Sequence, residues 1–201
     1  QIITIQDISD PTITCPADIK IQMDASCMYD SAPAITGIPM GGDNCGTPTF
    51  TSVDDLSGLT ECGGTGIIIR TWTATDACMN IASCDQNIVV EDLVDPTITC
   101  PAAIVVEGCD ETEITNGSLT ALSFSTTPVI ITELQFTDEG GVAADECSID
   151  SIEYVDVMSG TCPIEVVRTF TVFDPCGNSA SCEQTITIDD TTVPTITCPA
   201  A

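Results

Sequence analysis

The sequence contains no histidine and only three cationic side chains, Lys20, Arg70 and Arg168, in 201 residues. Without histidine, the side chain that most often acts as a general base near neutral pH is missing. The 31 acidic residues give a net charge of −28, which repels nucleic acid and anionic lipid. We therefore expect a protein that is not an enzyme and that has no nucleic-acid partner.

Aromatic residues make up only 4 % of the chain and charged residues 17 %, whereas 43 % is apolar. This apolar content is too high for a disordered acidic tail. The sequence has no apolar run of membrane-spanning length and no signal peptide, so we expect no membrane insertion. The composition fits an internal segment of a larger secreted protein.

The phrase Pro-Thr-Ile-Thr-Cys-Pro occurs around Cys15, Cys100 and Cys198, at intervals typical of β-sandwich domains. The first 18 residues, QIITIQDISDPTITCPAD, align without a gap with the last 18, QTITIDDTTVPTITCPAA. The chain therefore begins and ends at the same point of a tandem repeat. We predict four segments: the final strand of a preceding repeat (1–8), a first repeat (9–93), a second repeat (94–191) with an insertion near 115–134, and the start of the next repeat (192–201).

Segments rich in Ile, Val and Thr alternate with clusters of Gly, Pro, Asn and Asp. This pattern predicts strands and turns, and no stretch shows a capped helical period. The fold class is therefore all-β, with Trp72 and its counterpart Phe170 anchoring the cores. The predicted strands lie within 11–21, 67–74, 87–90, 166–172 and 185–188.

Thirteen cysteines divide into six in each repeat and one further residue, Cys198, whose partner we expect beyond Ala201. An even, position-matched set without histidine favours disulfides over zinc. The protein is therefore expected outside the cell or on its surface. The twelve candidate disulfide cysteines are Cys15, Cys27, Cys45, Cys62, Cys78, Cys84, Cys100, Cys109, Cys147, Cys162, Cys176 and Cys182.

Four motifs occur together: Pro-Thr-Ile-Thr-Cys-Pro-Ala, Asp-Asn-Cys-Gly at 43–46, Arg-Thr-Trp-Thr-Ala-Thr-Asp-Ala-Cys at 70–78, and Ala-Ser-Cys before the closing strand. In this combination the chain resembles the hyalin-type (HYR-like) immunoglobulin-like repeats of very long surface adhesins and gliding adhesins of Bacteroidota. The resemblance implies a string of seven-stranded sandwiches. The chain departs from the pattern at Met79, where such repeats usually carry Gly, and in the insertion of the second copy.

In such a sandwich the first and last strands are neighbours, so we expect about three disulfides in each repeat, including one that joins these strands. Six cysteines allow many connectivities, and other pairings stay open. The predicted pairs are Cys15–Cys84, Cys27–Cys45 and Cys62–Cys78 in the first repeat, and Cys100–Cys182, Cys109–Cys147 and Cys162–Cys176 in the second.

Arg70 and Arg168 occupy the same place in the two copies of a chain that otherwise avoids cations. Each is predicted to form a structural salt bridge or a cation contact across the sheet. A ligand-binding arginine is the alternative.

Acidic residues recur at the predicted junctions between repeats. Carboxylate oxygens are the ligands that Ca²⁺ prefers, and no protein cation competes for them there. We expect either calcium at the interdomain junctions or a solvated acidic linker. The candidate ligands are Asp7, Asp10, Glu91, Asp92, Asp95, Asp189 and Asp190.

Glycosylation is predicted at Asn116, in the acceptor sequence Asn-Gly-Ser. Three further hydroxyls resemble the O-glycosylation pattern of Bacteroidota, in which Asp precedes Ser or Thr. They are Ser31, Ser151 and Thr191.

The leading functional hypothesis is a structural and adhesive segment of a long extracellular filament or giant adhesin. Its partners would be neighbouring repeats of the same polymer, together with glycans or surface ligands. One variant lends the strand Gln1 to Asp7 to the next subunit. The alternative is a calcium-dependent carbohydrate- or protein-binding module built from loops 41–48 and 115–134. An enzyme using paired carboxylates such as Asp54 and Asp55 comes third.

Overall fold

The computed structural model describes residues 1–116 and 120–198, and the side chains of all of them except residues 115 and 116. The chain divides into two compact units, Gln1–Val94 and Asp95–Ala201. We call them the first and the second unit and describe each by itself.

The first unit contains six strands in two sheets. The larger sheet has the order β2-β6-β5-β4, and β1 pairs with β3 in the smaller one. The strands are β1 (Thr12–Thr14), β2 (Ile19–Gln22), β3 (Met40–Gly42), β4 (Thr49–Gly58), β5 (Gly66–Thr75) and β6 (Ile81–Glu91). A short helix, α1 (Pro33–Thr36), and a 3₁₀ turn at Cys62–Gly64 connect them.

The core of the first unit follows from the alternation in β5 and β6. Every second residue of β5 is buried from Gly66 to Ala74, and Trp72 is one of these inward residues. Because successive side chains of a strand point to opposite faces, this pattern packs one face of the sheet and solvates the other. The result is a sandwich-like all-β unit with one strand fewer than the seven that the resemblance implies.

The second unit contains seven strands in the residues that the structure describes. Its larger sheet has the order β8-β13-β12-β11-β9, and β10 pairs with β7. The strands are β7 (Thr97–Thr99), β8 (Ile104–Glu107), β9 (Val129–Ile131), β10 (Val142–Ala144), β11 (Ser151–Gly160), β12 (Ile164–Phe173) and β13 (Ser179–Asp189). Two helices, α2 (Glu113–Asn116) and α3 (Glu133–Asp138), lie between β8 and β10.

The described part of the predicted insertion packs on its own unit. It contributes β9, which pairs with β11 and becomes the fifth strand of the larger sheet. Its Leu122 and Ile131 join the core around Phe170. Phe136 of the following helix α3 is fully buried, and its ring lies 4.9 Å from that of Phe170. The helix begins with a capping box between Thr132 and Gln135, which satisfies its first amides.

A disulfide joins the start and the end of each unit, in the two pairs expected from the sequence. Cys15 bonds Cys84, with 5.9 Å between the Cα atoms, and Cys100 bonds Cys182, with 5.6 Å. Each of these pairs links the residue after a short first strand to the last strand of its unit. The remaining disulfide-bonded cysteines are Cys27 and Cys62 in the first unit and Cys147 and Cys176 in the second.

The pairings Cys27–Cys45 and Cys62–Cys78 predicted from the sequence are wrong, because Cys45 and Cys78 are free thiols. The strand registers give the physical reason. Cys27 follows β2, which ends beside Glu91, and Cys62 precedes β5, which begins opposite Val90, so both lie at one end of the sheet. Cys45 and Cys78 lie at the other end, where Thr49 and Ile81 both pair with Thr75. Ten-residue strands place these ends roughly 30 Å apart, far beyond the reach of a disulfide.

The pairings Cys109–Cys147 and Cys162–Cys176 fail for the same reason. Cys109 and Cys162 are free thiols at the end where β13 finishes, since Glu107 and Ile164 pair with its last residues. The bonded Cys147 and Cys176 lie at the opposite end, where β11 begins and β12 ends. Across the described residues each unit therefore holds two disulfides, one fewer than the three expected.

Candidate functional site

The most elaborate polar arrangement of the second unit surrounds Arg168. Asp156 lies directly opposite it on β11, and both side chains are completely buried. The guanidinium donates to both carboxylate oxygens, from Nε to Oδ1 at 2.8 Å and from Nη2 to Oδ2 at 2.9 Å. A two-pronged pair of this kind matches the fork of the guanidinium to the carboxylate.

The remaining donors of Arg168 reach the segment before β9. Its Nη2 donates to the carbonyl oxygens of Leu122, at 3.3 Å, and of Ser123, at 3.1 Å. The guanidinium carbon also lies 4.4 Å from the ring centroid of Tyr154, a cation–π distance. Burial raises the pKa of Tyr154, and its hydroxyl donates to the carbonyl of Ser123 at 2.7 Å. Arg168 thus fastens the insertion to the sheet.

Arg70 repeats this arrangement in the first unit. It faces Asp54 on β4 and donates to both carboxylate oxygens at 2.6 and 2.7 Å. Its guanidinium also donates to the hydroxyl of Thr36 and to the carbonyl of Ser31. The guanidinium carbon lies 5.8 Å from the centroid of the Trp72 ring. The hydrogen bond to Asp54 raises the pKa of Arg70. The Arg70 side chain is 3 % exposed and the Asp54 side chain 27 %, so this pair is more accessible to solvent than Arg168 and Asp156.

Both arginines therefore form a structural salt bridge across the sheet, which was one of the two contacts predicted from the sequence. The contacts with the aromatic rings were not predicted. Their donors point into the protein, so a ligand would have to displace bonds already made. Trp72 and Phe170 lie in the cores beside them. The acidic partners could have been recognised as a Val-Asp pair at 53–54 and again at 155–156.

Gln86 and Gln184, at equivalent places in β6 and β13, are buried residues that the sequence reasoning missed. The Gln86 amide donates to the carbonyls of Ala17 and Thr36, and its Oε1 accepts from the Trp72 indole at 3.3 Å. Gln184 donates to Ala102 in the same way. Its Oε1 has no hydrogen-bond partner among the described residues, because Phe170 stands where the first unit has an indole. The glutamine recurs in the aligned segments, which was the available signal.

Of the predicted metal ligands, Asp7 is brought near other ligand atoms of the first unit. Oxygens of Asp7 and Asp43 and the Cys45 sulfur lie within 4.8 Å of one another. The backbone amide of Ser9 donates a hydrogen bond to the Asp7 carboxylate, and this bond is the main reason that the pKa of Asp7 is lowered. Asp43 was not among the predicted ligands, although it belongs to the loop 41–48 named as a binding loop. Asp7 also raises the pKa of Cys45, whose thiol donates towards it.

Four of the other predicted calcium ligands make local contacts. Glu91 pairs with Lys20, and Asp92 accepts from the amide of Val94. In the second unit, Asp190 accepts from the amide of Thr192, while the carbonyl of Asp189 accepts from Gly108. Asp10 lines a shallow surface groove with Asp43, and Asp95 is exposed. These contacts leave calcium at the junctions as a prediction.

The glycosylation candidates differ in accessibility. The Asn116 side chain and the serine of its acceptor sequence lie outside the described residues. Ser31 and Ser151 are half-buried, and the carbonyl of Ser31 accepts from Arg70. Thr191 is exposed, although its hydroxyl donates to Glu107 at 2.6 Å. Glycosylation stays a prediction at all four residues.

No model of a known protein family matches the chain. The chain is similar to the Sushi, von Willebrand factor type A, EGF and pentraxin domain-containing protein 1 of Rattus norvegicus, at 28 % identity over 184 residues, and to that of Mus musculus, at 27 %. The matches cover 91 % of this chain but span only 5 % of the length of each relative.

Among the described residues, no helix is long and apolar enough to cross a membrane. Disulfides form and persist in oxidising environments such as the extracellular space. Together with the similarity to a multidomain protein, the disulfide-bonded sandwiches indicate a segment of extracellular type. The similarity concerns only a small part of each relative, and the rest of each relative has no counterpart in this chain.

Proposed function

We propose that the chain is a structural and adhesive repeat segment of a long extracellular filament or giant surface adhesin. One observation carries the proposal: in both units a disulfide ties the residue after the first strand to the last strand. The tie recurs at equivalent positions of a tandem repeat. A covalent link of this kind suits a repeat that transmits tension from one neighbour to the next.

The mechanical consequence follows from the chain path. Tension entering before Cys15 passes through the disulfide to Cys84, and tension entering before Cys100 passes to Cys182. The bonded residues are separated by 69 and 82 positions in sequence. The chain between them is therefore shielded, and a unit that loses its packing lengthens very little while its disulfide is intact. Reduction would release roughly 230–300 Å of extended chain from each unit.

Single-molecule force spectroscopy of the two-unit chain tests this function. Pulled from its ends in oxidised form, the chain should show no release of chain the length of a unit. After addition of a reductant, two such releases should appear, the longer one from the second unit. A Cys15→Ser/Cys84→Ser variant should show a release from the first unit without reductant and still lack the second, and this first release should be shorter than after reduction because Cys27 and Cys62 stay bonded. Release of both units from the oxidised wild type would contradict a tension-bearing role.

The binding-module alternative draws on a different observation, the half-buried carboxylates of Asp7 and of Asp43 in the loop 41–48. Calcium remains the expected metal, and neighbouring repeats, glycans or surface ligands the expected partners. Calorimetric titration of the wild type and of Asp43→Asn with Ca²⁺ distinguishes the binding module from the structural segment. Saturable heat that the substitution abolishes would favour the binding module.

No catalytic activity forms part of the proposal. The extracellular location and the polymeric context are inferred from the disulfides, the repeat and the resemblance together. Turnover of a polysaccharide or peptide substrate would contradict it.

A further inference from the structure

The two units leave complementary pairs of cysteines unbonded. In the first unit the thiols are Cys45 and Cys78, and their counterparts in the second, Cys147 and Cys176, are disulfide-bonded. In the second unit the thiols are Cys109 and Cys162, whose counterparts Cys27 and Cys62 are bonded. Each unbonded pair therefore has a bonded equivalent in the other repeat.

The turn that carries Cys78 has the same geometry as the turn that carries Cys176. The amide of Asp76 donates to the carbonyl of Asn80 at 3.1 Å, and Asp174 donates to Asn178 at 3.1 Å. Met79 adopts the left-handed conformation with φ 71°, as Gly177 does with φ 88°. The departure from glycine at Met79 has thus not changed the backbone that presents the cysteine.

The loop that carries Cys45 likewise matches the loop that carries Cys147. The Cys45 amide donates to Oδ2 of Asp43 at 2.9 Å, and the Cys147 amide donates to Oδ2 of Asp145 at 2.9 Å. In each of these turns the aspartate carboxylate holds the backbone of the cysteine that follows it by two residues. Cys45 and Cys78 are thus held as their disulfide-bonded counterparts are held.

The thiols of each pair also lie together. Cys45 and Cys78 line one small hollow at the end of the sheet where β4 begins and β5 ends. Cys109 and Cys162 line another, beside Ile164 and Ile188 at the end of β13. All four cysteines are exposed to solvent, so an oxidant can reach them.

We propose that Cys45 and Cys78 form a third disulfide in the first unit, and that Cys109 and Cys162 form a third in the second. The oxidant is a small-molecule or protein disulfide of the extracellular space. One thiolate attacks a sulfur of that disulfide and expels a thiolate. The second cysteine then attacks the mixed disulfide, forms the new S–S bond and expels the other thiolate. The two cysteines lose two electrons and two protons, and the oxidant becomes two thiols.

Peptide mapping of the non-reduced protein tests the proposal. After oxidation by oxidised glutathione, the protein is denatured, alkylated with iodoacetamide and cleaved before aspartate. The fragment 43–53 contains Cys45 alone, and 76–84 contains Cys78 with Cys84. The fragment 156–173 contains Cys162 alone, and 95–109 contains Cys100 with Cys109.

The expected map links 43–53 to 76–84 and 156–173 to 95–109, with alkylation of Cys198 only. Alkylated Cys45 and Cys78, or a link from either to a cysteine at the other end of the sheet, would overturn the proposal for the first unit. Alkylated Cys109 and Cys162 would overturn it for the second.

A Cys78→Ser variant provides an independent measurement. It should expose one additional thiol under denaturing conditions, and the alkyl group should map to Cys45. The matched control Cys198→Ser should lose one alkyl group and leave both links unchanged. A Cys78→Ser protein with an unchanged thiol count would contradict the pairing.

Discussion

Asp156 and Arg168 face each other on neighbouring strands, and neither side chain is exposed to solvent. The guanidinium forms two hydrogen bonds to the carboxylate and further bonds to the segment before β9. Taking two charges out of water is costly, and the pair persists because nearly every donor is satisfied. It joins the sheet to the insertion that distinguishes the second repeat from the first.

Asp156→Asn should destabilise the second unit by about 3–5 kcal/mol, because it leaves the Arg168 charge buried without its counterion. Asp54→Asn in the first unit should cost less, since Asp54 is 27 % exposed and water screens the charge that remains. Urea unfolding followed by circular dichroism measures both. Equal losses in the two variants would contradict the role that burial plays here.

Trp72→Phe should reproduce in the first unit the unsatisfied amide oxygen of Gln184. The substitution removes the indole that donates to Gln86, and the first unit should lose about 1–3 kcal/mol. Urea unfolding followed by circular dichroism is the suitable measurement, because Trp72 is the single tryptophan. The matched variant is Gln86→Leu in the Trp72→Phe background, because it removes the amide oxygen that Trp72→Phe leaves without a donor. An unchanged unfolding midpoint for Trp72→Phe would show that the indole bond contributes nothing.

The sequence predicted the all-β class, the core aromatics and the arginine salt bridges, because alternation and residue identity are local signals. It predicted the pairs Cys15–Cys84 and Cys100–Cys182. It did not predict the partners of the other cysteines, because Cys27 and Cys62 are brought to one end of the sheet by strand registers that pair distant segments. The acidic partner Asp156 was missed for the same reason. The short helix containing Phe136 was missed because its single turn and a half carries too few residues for a period to stand out.

Phe136→Ala should test whether the region after the insertion is part of the second core. Phe136 is fully buried against Phe170, so its removal should cost about 3–5 kcal/mol. Leu134→Ala is a matched control on the same helix, since Leu134 is 69 % exposed and should change stability little. Thermal unfolding of both variants gives the comparison. Similar midpoints would contradict the packing described for α3.

Asp18 should make the stability of the first unit sensitive to acid. The Asn87 backbone amide, followed by its side-chain amide, lowers the pKa of Asp18 below its ordinary value of 3.8. A carboxyl whose pKa is lower in the folded than in the unfolded state stabilises above the unfolded value. This contribution is lost as the pH falls through the folded value.

Asp18→Asn should therefore flatten the decline in stability below about pH 4. The exposed Glu61→Gln removes one charge elsewhere and controls for the relief of general repulsion. Urea midpoints of the three proteins between pH 2 and pH 6 provide the measurement. A wild-type curve parallel to that of Asp18→Asn would contradict the assignment.

The proposed function requires these units to be links of a continuous extracellular polymer. Electron microscopy of the protein isolated from its native source, with and without a calcium chelator, tests this most directly. The account predicts continuous beaded fibres whose beads are sandwich-sized, and the calcium hypothesis adds that chelator loosens the fibres. Short, separate particles in both conditions would contradict the account and would favour a binding module.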